Sequence, residues 1–288
     1  MPLQSPILWV VATPIGNLGD LSQRAAEVLS SVDVLLAEDT RKTGRLLDMC
    51  GISRPRLLSL FEHNERARIK QVLGLLEQGL QIALVSSAGT PLISDPGYLL
   101  VRSCRQAGFQ VSPVPGPSAP VAALMASGFP PYPFAFLGFL PRKSGEKRRL
   151  FAPYVQVPVT LVFFERASRL ENTLGDVQSV LGPREVCIAR ELTKQFEQFL
   201  FLTPGSQSQE LPELPGEVTV LIAPGKNEQG TTDTLDVIRI MRSAAERETG
   251  ARSVVEHTLA QVSGWGKKAL YELYLRKVQG KDAGTEGS

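Results

Sequence analysis

Two short stretches without a polar break, 7–12 (ILWVVA) and 82–85 (IALV), each run straight into a loop dense in glycine, proline and hydroxyl residues. A run of four to six such residues carries apolar side chains on both faces, which suits a strand buried on both sides in a parallel sheet covered by helices. Between and beyond them the period changes. Leu21, Ala25, Val28, Leu29 and Val32 recur at the spacing of one helical face, with Asp20 placed to cap it. A strand is expected at 32–37 (VDVLLA), a helix at 63–78 with Ile69, Val72, Leu73 and Leu76 inward, a strand at 81–85 and a helix at 97–107. Strands alternating with helices imply right-handed crossovers and a mostly parallel sheet, so the first domain is expected to be α/β.

A chain of 288 residues has room for about two domains. The proline-rich stretch 110–120 (QVSPVPGPSAP) reads as the exit from the first. Beyond it the segments 134–139, 159–164, 185–189, 196–201 and 217–223 read as five strands of a mixed sheet, and 226–234 as a polar linker. The tail has two helical periodicities, Val254, Val255, Leu259 and Val262, then Leu270, Leu273 and Tyr274, joined by Gly264-Trp265-Gly266 in the manner of a helix-turn-helix. The expected domains are 1–116, 117–228 and a helical extension 229–288 with a disordered end.

Several functional classes drop out. Cys50, Cys104 and Cys187 are far apart and lack metal-ligand spacing, so neither a disulfide framework nor a metal site is expected. From 106 to 141 no residue is charged, yet eight prolines interrupt that stretch, and no run of about 20 apolar residues exists to span a membrane. The amino-terminal residues lack the basic start of a secretion signal, and the cytoplasm is the expected location. There is no P-loop. The one G-x-G-x-x-A, 264–269, follows a helix where a dinucleotide fingerprint must follow a strand.

The net charge is only +2, but its distribution is uneven. Residues 41–70 hold eight Lys or Arg against three acids, and 142–149 (RKSGEKRR) hold five against one. Basic segments of this kind neutralise nucleic-acid phosphates, or else are solvated charged surface.

Four irregular loops each follow an expected strand: 13–20 (TPIGNLGD), 38–41 (EDTR), 86–97 (SSAGTPLISDPG) and 115–119 (PGPSA). In open α/β sheets ligands gather beyond the carboxyl ends of strands. In the third loop the backbone of Ala88, Gly89 and Thr90 suits close approach to a ligand, and Pro14 and Ile93 offer apolar walls. Ser118 and Ala119 begin a helix whose amino end can hold a carboxylate. Asp95 either faces the same site or caps the helix after it. Glu38 and Asp39 can orient a hydroxyl while Arg41 takes a phosphate, or the three form a salt-bridged turn. His63, beside Asn64, is either a base or substrate contact or a hydrogen-bonding residue at a helix start.

The same loops carry a resemblance. VATPIGNL (11–18), AEDTR (37–41), EHN (62–64), AGTP (88–91), DPG (95–97), PGPS (115–118), GFLP (138–141) and ARELTK (189–194) resemble, in order, the ribosomal RNA small subunit methyltransferase I family, and KKALYELYL in the tail is similar to that family's extension. The resemblance implies the tetrapyrrole-methylase-like fold, with S-adenosylmethionine in the cleft between two α/β domains of a homodimer. It also implies methyl transfer to the ribose 2′-hydroxyl of a cytidine in the decoding region of 16S rRNA, with the small ribosomal subunit as partner. It adds Arg190, Leu192, Ala223 and Pro224 to the expected cofactor residues. On that reading Arg142, Lys143, Lys147, Arg148, Arg149, Lys194, Lys267 and Lys268 are expected to meet RNA. Two places depart from the family pattern: Ser87 stands where an aspartate is usual, and Phe163 to Arg169 lack the usual tyrosine, proline and histidine. The rival readings are a methyltransferase of the same fold acting on a tetrapyrrole, and a cofactor-binding protein without transfer.

Overall fold

The apolar run near the amino terminus lies inside a five-stranded sheet. The computed structural model describes residues 6–205, 216–225, 234–248, 250–262 and 264–278. In it β1 (Ile7–Val11) pairs with β4 (Ile82–Val85) on one side and β5 (Gln110–Val114) on the other, while β2 (Val34–Ala37) joins β4 to β3 (Arg56–Ser59), all parallel. Successive side chains alternate between two cores. Leu8, Leu36, Ile82 and Leu84 pack with Val72 and Leu76 of α3 (Glu65–Glu77) and Leu100 of α4 (Tyr98–Gln106). Val11, Leu35, Ala83 and Val85 pack on the other face with Ala25 and Leu29 of α1 (Gln23–Ser31) and Leu47 of α2 (Thr40–Met49). A sheet covered on both faces is why these strands lack polar residues.

Two local expectations are corrected and two elements are added. Ser22, not Asp20, caps α1, accepting from Ala25 N at 3.1 Å. The stretch 110–114 is a strand, not an exit: β5 is an edge strand, where a proline forfeits no ladder bond that a neighbour needs. Residues 40–59 hold α2 and β3, which the sequence did not announce. α2 buries only Thr43, Gly44 and Leu47, two of them without a large apolar side chain, and β3 is a half-exposed edge.

The second sheet is mixed. β6 (Phe134–Phe139) lies parallel to β7 (Thr160–Arg166), followed by β10 (Glu217–Ile222), β8 (Val186–Arg190) and β9 (Gln198–Leu202), antiparallel throughout. α6 (Ser144–Phe151) and α7 (Leu170–Leu181) cover one face around Phe151, Phe163, Val177 and Val220. α5 (Ala119–Ala126) covers the other around Ala123, Leu124, Val162 and Leu221.

RKSGEKRR is therefore mostly helix α6, and this corrects one expectation within it. Lys147 is 3% exposed. Its Nζ lies 2.9 Å from Asp176 Oδ2 and donates to Thr173 Oγ1 at 2.9 Å, while Thr173 donates to the buried Glu165 at 2.8 Å. An ammonium held in this network is not available to an RNA phosphate. A lysine among five basic residues gave no sign of facing inward, because sequence charge does not say which helix face a residue occupies. Arg142, Lys143, Arg148 and Arg149 are exposed, with Arg148 Nε reaching back to Asp176 at 2.8 Å.

Residues 1–224 form one compact unit and 225–288 another. The second holds α8 (Thr234–Ala245), α9 (Ala251–Leu259) and α10 (Lys267–Lys277) around Val237, Met241, Val254, Leu270 and Tyr274. It thus adds a helix before the two expected. Lys267 is paired with Glu256 at 2.7 Å, and Lys268 is exposed. Residues 226–233 of the expected linker and the expected disordered end, 279–288, lie outside the described residues. Among the described residues no helix is long and apolar enough to cross a membrane.

Candidate functional site

The carboxyl ends of β1, β2, β4 and β5 point their loops at the second sheet, and between them lies a cleft of about 610 Å³. That volume falls within the range of small-molecule sites. Its floor comes from 86–97. Gly89, at φ +79°, exchanges both backbone hydrogen bonds with Thr13, at 2.9 and 3.0 Å, which ties this loop to the one after β1. Thr90 Oγ1 donates to the Pro117 carbonyl at 2.9 Å and ties it to the PGPSA loop. The Gly89 backbone is thus engaged in assembling the site, while Ala88, Thr90 and Ile93 line it.

Ser118, Ala119 and Pro120 close one side. Ser118 is the N-cap residue of α5 but gives no side-chain cap, which leaves first-turn N–H groups free to meet a carboxylate. The second sheet contributes Leu192, Lys194, Glu191 and the start of β10 at Glu217 and Thr219, with Phe139 and Phe164 as an aromatic wall, ring centroids 5.1 Å apart.

Backbone strain marks the same place. Among the described residues four non-glycine residues have positive φ: Leu92 (+71°), Ser94 (+67°), Glu191 (+49°) and Thr193 (+65°). Two lie in the floor loop and two in the loop after β8, on opposite rims of the cleft. Each such residue costs about 1–3 kcal/mol, and strain of this kind gathers at ligand sites.

The acidic groups are unevenly held. Glu38 Oε2 accepts from Ser87 Oγ at 2.6 Å, so the serine that replaces the expected aspartate is a hydrogen-bond donor to the neighbouring carboxylate. Glu191 is paired with Lys194 at 2.9 Å. Asp95 does not cap α4, whose N-cap is Gly97. Burial pushes the Asp95 carboxyl up to about 6, the Glu38 charge adds to this, and a hydrogen bond from Ser86 works against both.

Of the expected residues, the cleft gathers Glu38, Ala88, Gly89, Thr90, Ile93, Asp95, Ser118, Ala119, Leu192 and Lys194. Pro14, Arg190, Ala223 and Pro224 are not among its lining residues: Arg190 has a buried Nε with no hydrogen-bond partner among the described residues, and Ala223, which donates to the Glu185 carbonyl, follows the end of β10 away from the cleft, a correction to the expectation for 223 and 224. Asp39 caps α2, accepting from Arg41 N at 2.9 Å, and the Arg41 guanidinium folds back onto it, an interaction that holds the Asp39 carboxyl below the usual carboxylate range. Asn64 accepts from Phe61 N at 2.8 Å at the start of α3, and His63 beside it is exposed. Lys42, Ser94, Phe139, Phe164 and Glu217 line the cleft without having been singled out. Ser94 lies in the floor loop and Lys42 in the first turn of α2, while Phe139, Phe164 and Glu217 come from strands of the second sheet that gave no turn signal.

The family model of the tetrapyrrole (corrin/porphyrin) methylases matches residues 8–206. A protein of Neisseria meningitidis serogroup B named ribosomal RNA small subunit methyltransferase I is 41% identical over 275 residues, 93% of this chain and 92% of that protein. One of the same name from Escherichia coli O157:H7 is 42% identical over 277 residues, 94% of this chain and 95% of that protein. Among solved structures, uroporphyrin-III C-methyl transferase from Thermus thermophilus complexed with S-adenyl homocysteine superimposes with a TM-score of 0.53 at 18% identity, over 75% of this chain and 96% of that one, a likeness of fold.

Proposed function

The chain belongs to the ribosomal RNA small subunit methyltransferase I family within the tetrapyrrole methylases, and on that premise we propose that it methylates the ribose 2′-hydroxyl of a cytidine in the decoding region of 16S rRNA. The observation that carries this is an identity of 42% that runs along 94% of the chain. A tetrapyrrole methylase is matched over 96% of its own length by 75% of this chain, and the family model ends at residue 206, before the helical unit. The helical tail and the basic segments are what a small-molecule enzyme does not need.

S-adenosylmethionine is the cofactor, and the residues present suit it. The volume is adequate, Ile15, Ile93 and Leu192 are apolar walls, and four carboxylates against two lysines favour a cationic sulfonium. The uncapped start of α5 suits its carboxylate. When bound, it supplies a methyl group already activated by the positive sulfur. The work left to this chain is to hold the ribose hydroxyl in line within about 3–3.5 Å of that methyl, to exclude water and to accept a proton.

The assay is direct. Purified protein and labelled S-adenosylmethionine should label unmethylated small subunits, with the label on a cytidine ribose. Label on a base, or only on small metabolites, refutes the reading, and tight cofactor binding without transfer to RNA identifies a binding protein instead.

RNA contact is assigned to the exposed Arg142, Lys143, Arg148 and Arg149, with Lys194, Lys267 and Lys268 as further candidates. Changing the first four to Ala should lower the slope of log K against log salt by about 0.7–0.9 for each phosphate no longer neutralised and leave cofactor affinity alone. An unchanged slope removes this face from the interface. The proposal includes a cytoplasmic homodimer: Met125, Phe196 and Phe201 are exposed large apolar side chains that a second copy would cover.

A further inference from the structure

We propose that the carboxylate of Asp95 is the catalytic base that takes the proton of the attacking ribose hydroxyl, with Glu38 beside it as a positioning and charge-tuning residue. The inference rests on the ribose-methylation reading above and names the group that reading leaves open.

The cleft offers four carboxylates. Glu191 is neutralised by Lys194, and Glu217 is exposed at the start of β10. Glu38 has one oxygen bound by Ser87 Oγ at 2.6 Å. Asp95 is half-buried, lines the cleft and has no cationic partner among the described residues. A carboxylate bound to an ammonium or guanidinium is a weak base, because giving up that partner opposes protonation. Neither Asp95 nor Glu38 has such a partner among the described residues, and each accepts from a serine hydroxyl, Ser86 and Ser87; Asp95 is the one whose carboxyl burial and the neighbouring charge push upward.

Its position is fixed by the loop. Leu92 and Ser94, both left-handed, precede it, and Gly97, at φ +124°, follows. A Cβ at Gly97 would meet Leu84 Cδ2 at 2.6 Å, so the loop is pressed against the core at that point. Strain of this kind persists where the surroundings hold a side chain in one place. Burial and the Glu38 charge then bring the proton affinity of Asp95 to about 6, near working pH, where a general base is most effective. The other charged groups facing the cleft are Lys42, Glu191, Lys194 and Glu217.

The step balances. The ribose oxygen forms a bond to the methyl carbon, the carbon–sulfur bond breaks with its electron pair returning to sulfur, and the hydroxyl proton passes to Asp95. A positive sulfur and a negative carboxylate both become neutral, an annihilation of charge that the partial burial of Asp95 favours. Water then removes the proton from Asp95.

Two measurements test it. Single-turnover methyl transfer by the wild-type protein should rise with pH through about 6 and level off. At saturating S-adenosylmethionine, Asp95→Asn should lower the plateau by about 10²–10⁴-fold and abolish the inflection. Independently of activity, the carboxyl carbon of Asp95, followed by NMR in protein labelled at aspartate, should titrate near 6, and Glu38→Gln should move that midpoint downward. An Asp95→Asn protein that keeps wild-type rate or the inflection overturns the proposal, as does a midpoint in the ordinary carboxylate range. A wild-type protein that methylates no ribose refutes the function itself, an outcome distinct from either.

Discussion

Asp176→Ala is expected to destabilise the protein by about 3–5 kcal/mol, the usual consequence of removing one partner of a buried ion pair. Asp176 is 2% exposed and holds two cations, Lys147 from within the core and Arg148 from its rim. Arg148 can turn to water once the carboxylate is gone. Lys147 cannot, and its ammonium would be left with the Thr173 hydroxyl alone. The double replacement Lys147→Met with Asp176→Leu should recover most of the stability, since an apolar pair of similar volume is often as good as a buried ion pair. Urea denaturation of the three proteins checks both statements, and a small effect of Asp176→Ala would show that the network adds little to the packing of α6 on α7.

The same residue sets a pH dependence. Burial works to raise the Asp176 carboxyl, but the hydrogen bonds from Arg148, Lys147 and Ser144 outweigh it and hold the group below the usual carboxylate range. A folded-state value lower than the unfolded one means that the stabilisation is complete above about pH 4 and is lost as the pH falls through the lower folded value. Wild-type protein should therefore lose stability in that acid window more steeply than Asp176→Asn.

How far the sequence disclosed this molecule depended on which physical signal each element carries. Strands buried on both faces, such as β1, β2 and β4, must be apolar throughout, and they stood out. The helix α2 did not, because it packs through Thr43, Gly44 and Leu47, and small side chains buried close to a sheet leave no apolar stripe. The floor of the cleft was legible in SSAGTPLISDPG, where glycine and proline reveal an unusual backbone. Its opposite wall, Phe139, Phe164 and Glu217, was not, since strand ends use ordinary residues and only tertiary pairing brings them to the site. The left-handed Leu92 and Ser94 were hidden for the converse reason: neither residue type favours that conformation, so the strain there is imposed by the fold. Lys147 shows the limit of charge counting, which sees a basic segment but not its inward face.

The last expected result concerns a glycine that needs no special backbone angle. Gly16→Ala should lower kcat/KM for methyl transfer by about 10²-fold and weaken cofactor binding, the scale expected when a site wall moves by about 1 Å. An added Cβ would stand 2.5 Å from Lys194 Cγ, 2.7 Å from the Leu192 carbonyl oxygen and 2.9 Å from Thr193 Oγ1. The lysine can turn aside, but the carbonyl belongs to a loop already strained at Glu191 and Thr193 and pinned by a hydrogen bond from Asn17 N to Thr193 Oγ1 at 3.0 Å. Relief requires the two loops to part, and Leu192 and Lys194 leave the cleft with them. Leu192 and the neighbouring Ile15 belong to the core that α5 covers, so some loss of stability is expected too, and cofactor affinity measured well below the unfolding temperature separates the two effects. Gly74→Ala, in α3 with open space around it, is the matched control and should leave both activity and cofactor affinity unchanged while raising stability by up to about 1 kcal/mol. A Gly16→Ala protein with wild-type cofactor affinity would mean that the loop after β8 can yield without disturbing the site, and that close approach at residue 16 is incidental to the cleft it borders.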